Sequence, residues 1–228
     1  QGRDHVTTAE LAFDENKRIL AMRVTTVANM GAYYYFYAPY IPTGAALKVL
    51  PGVYDIPVLS YGVKAVFTNT VPVDAYRGAG RPESIYCMER LIEQAARELG
   101  VDVLEMRRLN FVKPEQMPYQ TSAGELYDSG DFAKVMDACV AKADWAGVAA
   151  RKAKSKAAGK LRGIGMCYYI ESTMGDQSEF AGVRFDDDGG VSLLVGTQSN
   201  GQGHETAYAQ VLHMQLGVPF EKVRLVQG

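Results

Sequence analysis

Apolar and polar residues alternate along ELAFDENKRILAMRVTTVANM, residues 10–30, on either side of the turn-rich tetrad DENK, and this period of two predicts a hairpin. The next stretch carries five tyrosines and a phenylalanine between Tyr33 and Tyr40, with prolines that would interrupt a central strand, and reads as a long aromatic loop. A strand is expected at about 62–70. From Glu83 the apolar residues Ile85, Met88, Leu91, Ile92, Ala95 and Leu99 recur at helical spacing until Gly100 stops the helix. A second helix is expected at about 102–109, followed by a proline-bearing loop. A third starts at Ser129 or Asp131 with Phe132, Val135, Met136, Cys139 and Val140 as its core face, and a solvated Ala/Lys helix spans 146–160. Beyond a boundary near 160 come strands at about 163–170, 180–185 and 191–197. A helix at about 204–216, with core face Ala207, Val211, Leu212 and Leu216, and a strand at 222–227 complete a strand–helix–strand unit. The pattern is α+β, with mixed β-sheets and packed helices, in two regions at 1–159 and 160–228.

Composition narrows the function classes. Over 228 residues, 47% hydrophobic and 22% charged residues fit a chain that buries a real core. A net charge of −2 gives no global pull toward nucleic acid or an anionic membrane, so any polyanion must be held locally. The basic run Arg151, Lys152, Lys154, Lys156 and Lys160 has no interleaved aromatics and reads as a solvated face. Three cysteines and three histidines make no metal-ligand spacing, so no protein-ligated metal is expected. Without a disulfide framework, a run of 18 apolar residues or signal-peptide pattern, a reducing, cytoplasmic setting is expected. The chain starts without Met and stops straight after VRLVQ, which reads as a piece of a longer protein.

Two loops are built to hold an anion. In DAYRGAGRPE, residues 74–83, Gly78 and Gly80 permit positive φ, Pro82 suits a first helical turn, and Arg77 and Arg81 add fixed charge to a helix N-terminus. In GTQSNGQGHET, residues 196–206, Gly201 and Gly203 flank Gln202 before another helix, and His204 follows. On these residues alone a tight strand-to-helix connection stays open for the first loop, and a capped glycine turn for the second. A dinucleotide fingerprint fails at the second loop, because Thr206 stands at the third glycine and Gln227 where a ribose-binding acid belongs. Asp128, Ser129 and Asp131 read as helix caps, the tyrosines as packing, and His213 as structural. Glu171, beside apolar residues in YYIESTMG, has no assigned role.

DAYRGAGRPE, YDSGDF at 127–132 and GTQSNGQGHETAYAQ, in this order, resemble the large subunit of aerobic carbon monoxide dehydrogenases and other xanthine dehydrogenase-family molybdenum hydroxylases, aldehyde oxidases included. The resemblance implies a molybdopterin cytosine dinucleotide with molybdenum, and 2Fe-2S and FAD on partner subunits. It implies hydroxylation of an aldehyde or N-heterocycle with water as the oxygen source, by a catalytic glutamate outside this chain. It places Arg77 near metal or substrate, with Gly78, Ala79, Gly80 and Arg81, and with Gly201, Gln202, Gly203 and His204, as cofactor contacts. Two departures bear on substrate. Carbon monoxide oxidisers place a copper-binding cysteine where Gly78 stands, and xanthine enzymes an aromatic where Ala79 stands. The glycine-rich and glutamate segments that complete the family's site have no counterpart here, so the chain alone is expected to be inactive and to bind the pterin weakly or not at all. The alternative is a non-catalytic pterin- or nucleotide-binding module.

Overall fold

The computed structural model describes residues 3–172 and 178–228. Two compact units divide the chain, residues 1–172 and 173–228, so residues 160–172 pack with the first.

In the first unit β1 (His5–Phe13) and β2 (Ile19–Asn29) form the expected antiparallel hairpin. In β2, Met22, Val24, Thr26 and Ala28 are buried and alternate with exposed Arg23, Thr25 and Val27. The third strand, β3 (Val58–Val66), starts before the expected residue 62 and lies parallel to β2, from Ala21↔Val58 to Asn29↔Val66. A parallel pair needs a crossover, and residues 30–57 supply it. That crossover is only partly the loop expected: Tyr33–Tyr37 are exposed, but Ile41–Ala45 wind a π-type turn that continues into α1 (Ala46–Val49). The sequence reading missed this turn because its apolar run is too short for a helical period to emerge. Burial of Ile41, Ala45, Ala46 and Val49, and a 2.9 Å hydrogen bond from Ser84 Oγ to Ala46 O, hold it in place.

The long helix α2 (Arg81–Glu98) buries Met88, Ile92, Ala95 and Ala96. It packs on α3 (Val103–Asn110), whose N-cap Asp102 accepts from the amides of Leu104 and Glu105. A two-rung antiparallel pair, β4 (Tyr119–Gln120) and β5 (Leu126–Tyr127), follows in the proline-bearing stretch. Next, α4 (Phe132–Lys142) is capped by Asp131, which accepts from Lys134 N at 3.0 Å. Its core face is narrower than expected, with Phe132 and Met136 buried but Val135 and Cys139 exposed. The aromatic cluster of Phe111, Tyr127 and Tyr168 meets this helix through Phe132, at its first turn. The Ala/Lys helix α5 (Val148–Ala157) buries no residue, as a solvated helix should.

Residues 163–170 were expected as a strand and are extended but unladdered. Their neighbours are helices, whose backbones offer no strand edge, so side chains take the ladder's place. Arg107 Nη2 donates to Met166 O at 3.0 Å, Tyr168 N donates to Glu89 Oε2 at 2.8 Å, and Tyr168 OH donates to Phe132 O at 2.9 Å. Glu89 also accepts from Tyr54 OH at 2.5 Å and from Arg107 Nη2 at 2.8 Å, in the buried core. Burial, and then the Glu89 charge, push the Tyr54 phenol well above its ordinary value.

In the second unit β6 (Ala181–Phe185) pairs antiparallel with β7 (Val191–Val195), which pairs parallel with β8 (Val223–Gln227) through the crossover helix α6 (His204–Leu216). Its core is Val191, Leu193, Val195 and Leu212, with Tyr208, Val218, Val223 and Leu225 packed against it. The expected core face of α6 holds only at Leu212, since Ala207, Val211 and Leu216 are exposed and Ala209 is buried instead. One helix on so small a sheet buries a single narrow stripe. The α+β expectation stands, with mixed sheets and packed helices. Among the described residues no helix is long and apolar enough to cross a membrane.

Candidate functional site

The first glycine loop turns the chain from the end of β3 into α2 through three successive residues at positive φ: Gly78 at 96°, Ala79 at 41° and Gly80 at 96°. Hydrogen bonds from Ala79 N to Tyr76 O, 2.7 Å, and from Arg81 N to Gly78 O, 3.1 Å, close it. The glycines serve contact as well as φ. A Cβ on Gly80 would stand 2.0 Å from Ile41 O, so this residue seats the loop on the turn before α1, and one on Gly78 would stand 2.6 Å from the Pro82 ring. Gly80 is also the N-cap of α2 with no side-chain cap, and since Arg81 N is taken by Gly78 O and Pro82 carries no N–H, what this terminus offers an acceptor is chiefly the helix dipole.

Arg77 is exposed and lines a cleft of about 570 Å³ together with Asn29, Thr70, Asp74, Tyr76 and Ala79. The cleft wall is a polar lattice the sequence reading did not find. Asn29 donates to Thr70 Oγ1 at 3.1 Å and accepts from Thr68 Oγ1 at 2.7 Å, and Arg3 Nε donates to Glu83 Oε1 at 2.8 Å. Asp74 Oδ1 and Glu83 Oε2 are buried with no hydrogen-bond partner among the described residues. Asp74 and Glu83 bracket the motif itself, a signal that was available, whereas Arg3 and Asn29 reach it only through the fold. Arg81 points elsewhere than the cleft wall: its side chain is 14% exposed and is ion-paired with Glu171.

The second loop leaves the C-terminal end of β7 beside the parallel strand β8, the end of a parallel pair at which open α/β sheets take ligands. Gly201 and Gly203 lie at φ 100° and 77°. Gly203 is the N-cap of α6 with no side-chain cap, and a Cβ there would meet nothing within 4 Å. The Gln202 side chain turns back on its own loop, accepting from Asn200 N and donating to Gln198 O at 3.1 Å. His204 stacks on Tyr208 with ring centroids 4.7 Å apart, and its Nδ1 is buried without a partner among the described residues, as is Thr197 Oγ1. Gln227 accepts from Ser199 N and donates to Glu205 Oε1 at 3.4 Å, so the residue that argued against a dinucleotide site ties this loop to α6. Among the described residues no three His, Cys, Asp or Glu side chains group as a metal site.

The geometry has relatives. The family model described as a molybdopterin cofactor-binding domain matches residues 1–111, and a second model of the same description matches residues 138–228. Over 99% of its length the chain is 35% identical to the carbon monoxide dehydrogenase large chain of Hydrogenophaga pseudoflava and 31% identical to the nicotine 6-hydroxylase large subunit of Paenarthrobacter nicotinovorans. It spans about 30% of the length of these relatives. The crystal structure of quinoline 2-oxidoreductase from Pseudomonas putida 86 superposes with a TM-score of 0.89 at 32% identity, over 98% of this chain and 30% of that one. The chain therefore belongs to the molybdopterin cofactor-binding domains carried by the large subunits of the carbon monoxide dehydrogenase, xanthine dehydrogenase and aldehyde oxidoreductase family.

Proposed function

We propose that this chain forms part of the cofactor-binding subunit of a molybdenum hydroxylase that oxidises an N-heterocycle or an aldehyde, water supplying the oxygen. The observation that carries this reading is the pair of side-chain-uncapped helix N-termini, each entered through positive-φ glycines, in a chain matched along most of its length by molybdopterin-binding models. When bound, the molybdenum pterin would supply the two-electron redox chemistry. The residues present fit such a group. At the second loop, the open space over Gly203 and the partnerless His204 Nδ1 and Thr197 Oγ1 suit a hydrogen-bonding heterocycle or its phosphates.

In this reading Gly78, Ala79, Gly80 and Arg81, in the region 1–159, contact the cofactor, as do Gly201, Gln202, Gly203 and His204 in the region 160–228. Arg77 orients substrate in the cleft that it lines. The cofactor form is the cytosine dinucleotide, and electrons leave through 2Fe-2S and FAD partners in the cytoplasm. Carbon monoxide is disfavoured, because Gly78 supplies no thiolate at the position where the resemblance puts a copper-binding cysteine. The similarity to enzymes named for nicotine and quinoline favours an N-heterocycle, and small Ala79 leaves the cleft open to one.

The test is substrate-dependent dye reduction by the complete complex beside its Arg77→Ala variant. Loss of about 100-fold in kcat/KM is expected for the variant, on the order of other substrate-orienting arginines. Equal activity removes Arg77 from the site, and a complex that contains no molybdenum points to a non-catalytic binding module instead. The 228-residue chain alone is expected to be inactive, and stoichiometric molybdenum in it overturns that expectation.

A further inference from the structure

Residues 166–172 form a strap along α2. Tyr168 N is bound by Glu89, in the middle of that helix, while Glu171 reaches Arg81, its first residue. Eight helical residues separate Arg81 from Glu89, about 12 Å, and three extended residues from Tyr168 to Glu171 cover about 10 Å, so the strap runs antiparallel to α2 toward its N-terminus. It is anchored behind Glu171 by Arg107 Nη2 on Met166 O and by Tyr168 OH on Phe132 O. A carboxylate that the sequence leaves without a role is thus delivered to the glycine loop.

We infer that Glu171 is a positioning residue for the first glycine loop, holding the Arg81 guanidinium and through it the left-handed run Gly78–Gly80; the inference rests on the reading of that loop as a cofactor contact. The run includes Ala79 at φ 41°, a conformation that persists only where surroundings over-determine it. Arg81 is the hinge of that constraint, since its amide closes the loop on Gly78 O while its side chain is pinned to the strap. Glu171 is 45% exposed, so the pair adds little to global stability, and its removal loosens the loop without unfolding the unit.

The experiment is hydrogen exchange on the full-length protein in its native complex, comparing wild type with Glu171→Gln and Glu171→Asp, with molybdenum content measured on the same samples. In Glu171→Gln the amides of Ala79 and Arg81 should exchange about tenfold faster while those of α3 stay within about twofold of wild type, and Glu171→Asp should restore most of the protection. Wild-type protection of residues 76–81 in Glu171→Gln overturns the inference, and so does equal loosening of the loop, α2 and α3. Molybdenum should fall in Glu171→Gln in step with the loosened loop. A wild-type protein without molybdenum sinks the cofactor reading alone, because the exchange comparison still decides what Glu171 does.

Discussion

Single residues in the two loops look alike in sequence and differ in what they touch. Gly80 and Gly203 are both N-caps at positive φ, but the first faces Ile41 O and the second faces open space. Gly80→Ala therefore combines left-handed strain with a backbone clash and should cost about 2–4 kcal/mol, whereas Gly203→Ala carries the strain alone, about 1 kcal/mol. Urea unfolding of the two variants beside wild type checks the difference, and equal losses would mean that the Ile41 contact is not the reason for Gly80. The positions of these glycines were legible because turn chemistry is local. Which of them meets backbone was not, because Ile41 lies far away in sequence. The same holds for Arg81 with Glu171, a pair that only the fold brings together. In the second unit Arg224, and then the amide of Gly190, hold the Asp188 carboxyl down to about 2. A depressed carboxylate contributes stability above its unfolded value near 3.8 and loses it as pH falls through about 2. Arg224→Ala should return Asp188 toward its ordinary value, readable in an NMR titration of its carboxyl carbon.

At the scale of elements, what the sequence fixes well is whatever repeats along a short window. The period-two run of β2, the apolar spacing of α2 and the Asp131 cap of α4 are all in place. What it misses is set by partners. The parallel alignment of β2 with β3, the helical turn inside the aromatic crossover and the unladdered strap at 163–170 depend on which neighbour offers a free edge or a buried charge. The strap, α2 and α3 meet at Glu89 and Arg107, of which the arginine side chain is fully buried and the glutamate nearly so. Desolvating both charges offsets much of the attraction in this pair. Breaking it is another matter. Arg107→Ala leaves Glu89 buried and uncompensated and should destabilise by about 3–5 kcal/mol, checked by denaturant unfolding. A loss below about 1 kcal/mol would mean that water reaches Glu89 in its place.

The two units differ most in how much core each has. The first buries a continuous set that includes Met22, Val24, Tyr54, Met88, Ile92, Met106 and Phe111, drawn mostly from β2, β5 and the helices α2, α3 and α4, with β1 and β3 packed against it. The second rests on Val191, Leu193, Val195 and Leu212. Helix α6 leaves the β6 side of the sheet with Val183 and Phe185 exposed. Small cores open more readily than large ones, because buried apolar area grows faster than the chain entropy it must offset. The amides of β7 should therefore exchange through openings of lower free energy than those of β2, by about 2 kcal/mol or more, although both strands are central in their sheets. Native-state hydrogen exchange at low denaturant reads both strands in one sample. Equal opening energies would show that the 228-residue chain unfolds as one cooperative body, and that the second glycine loop draws its rigidity from more than the four-residue core beneath it.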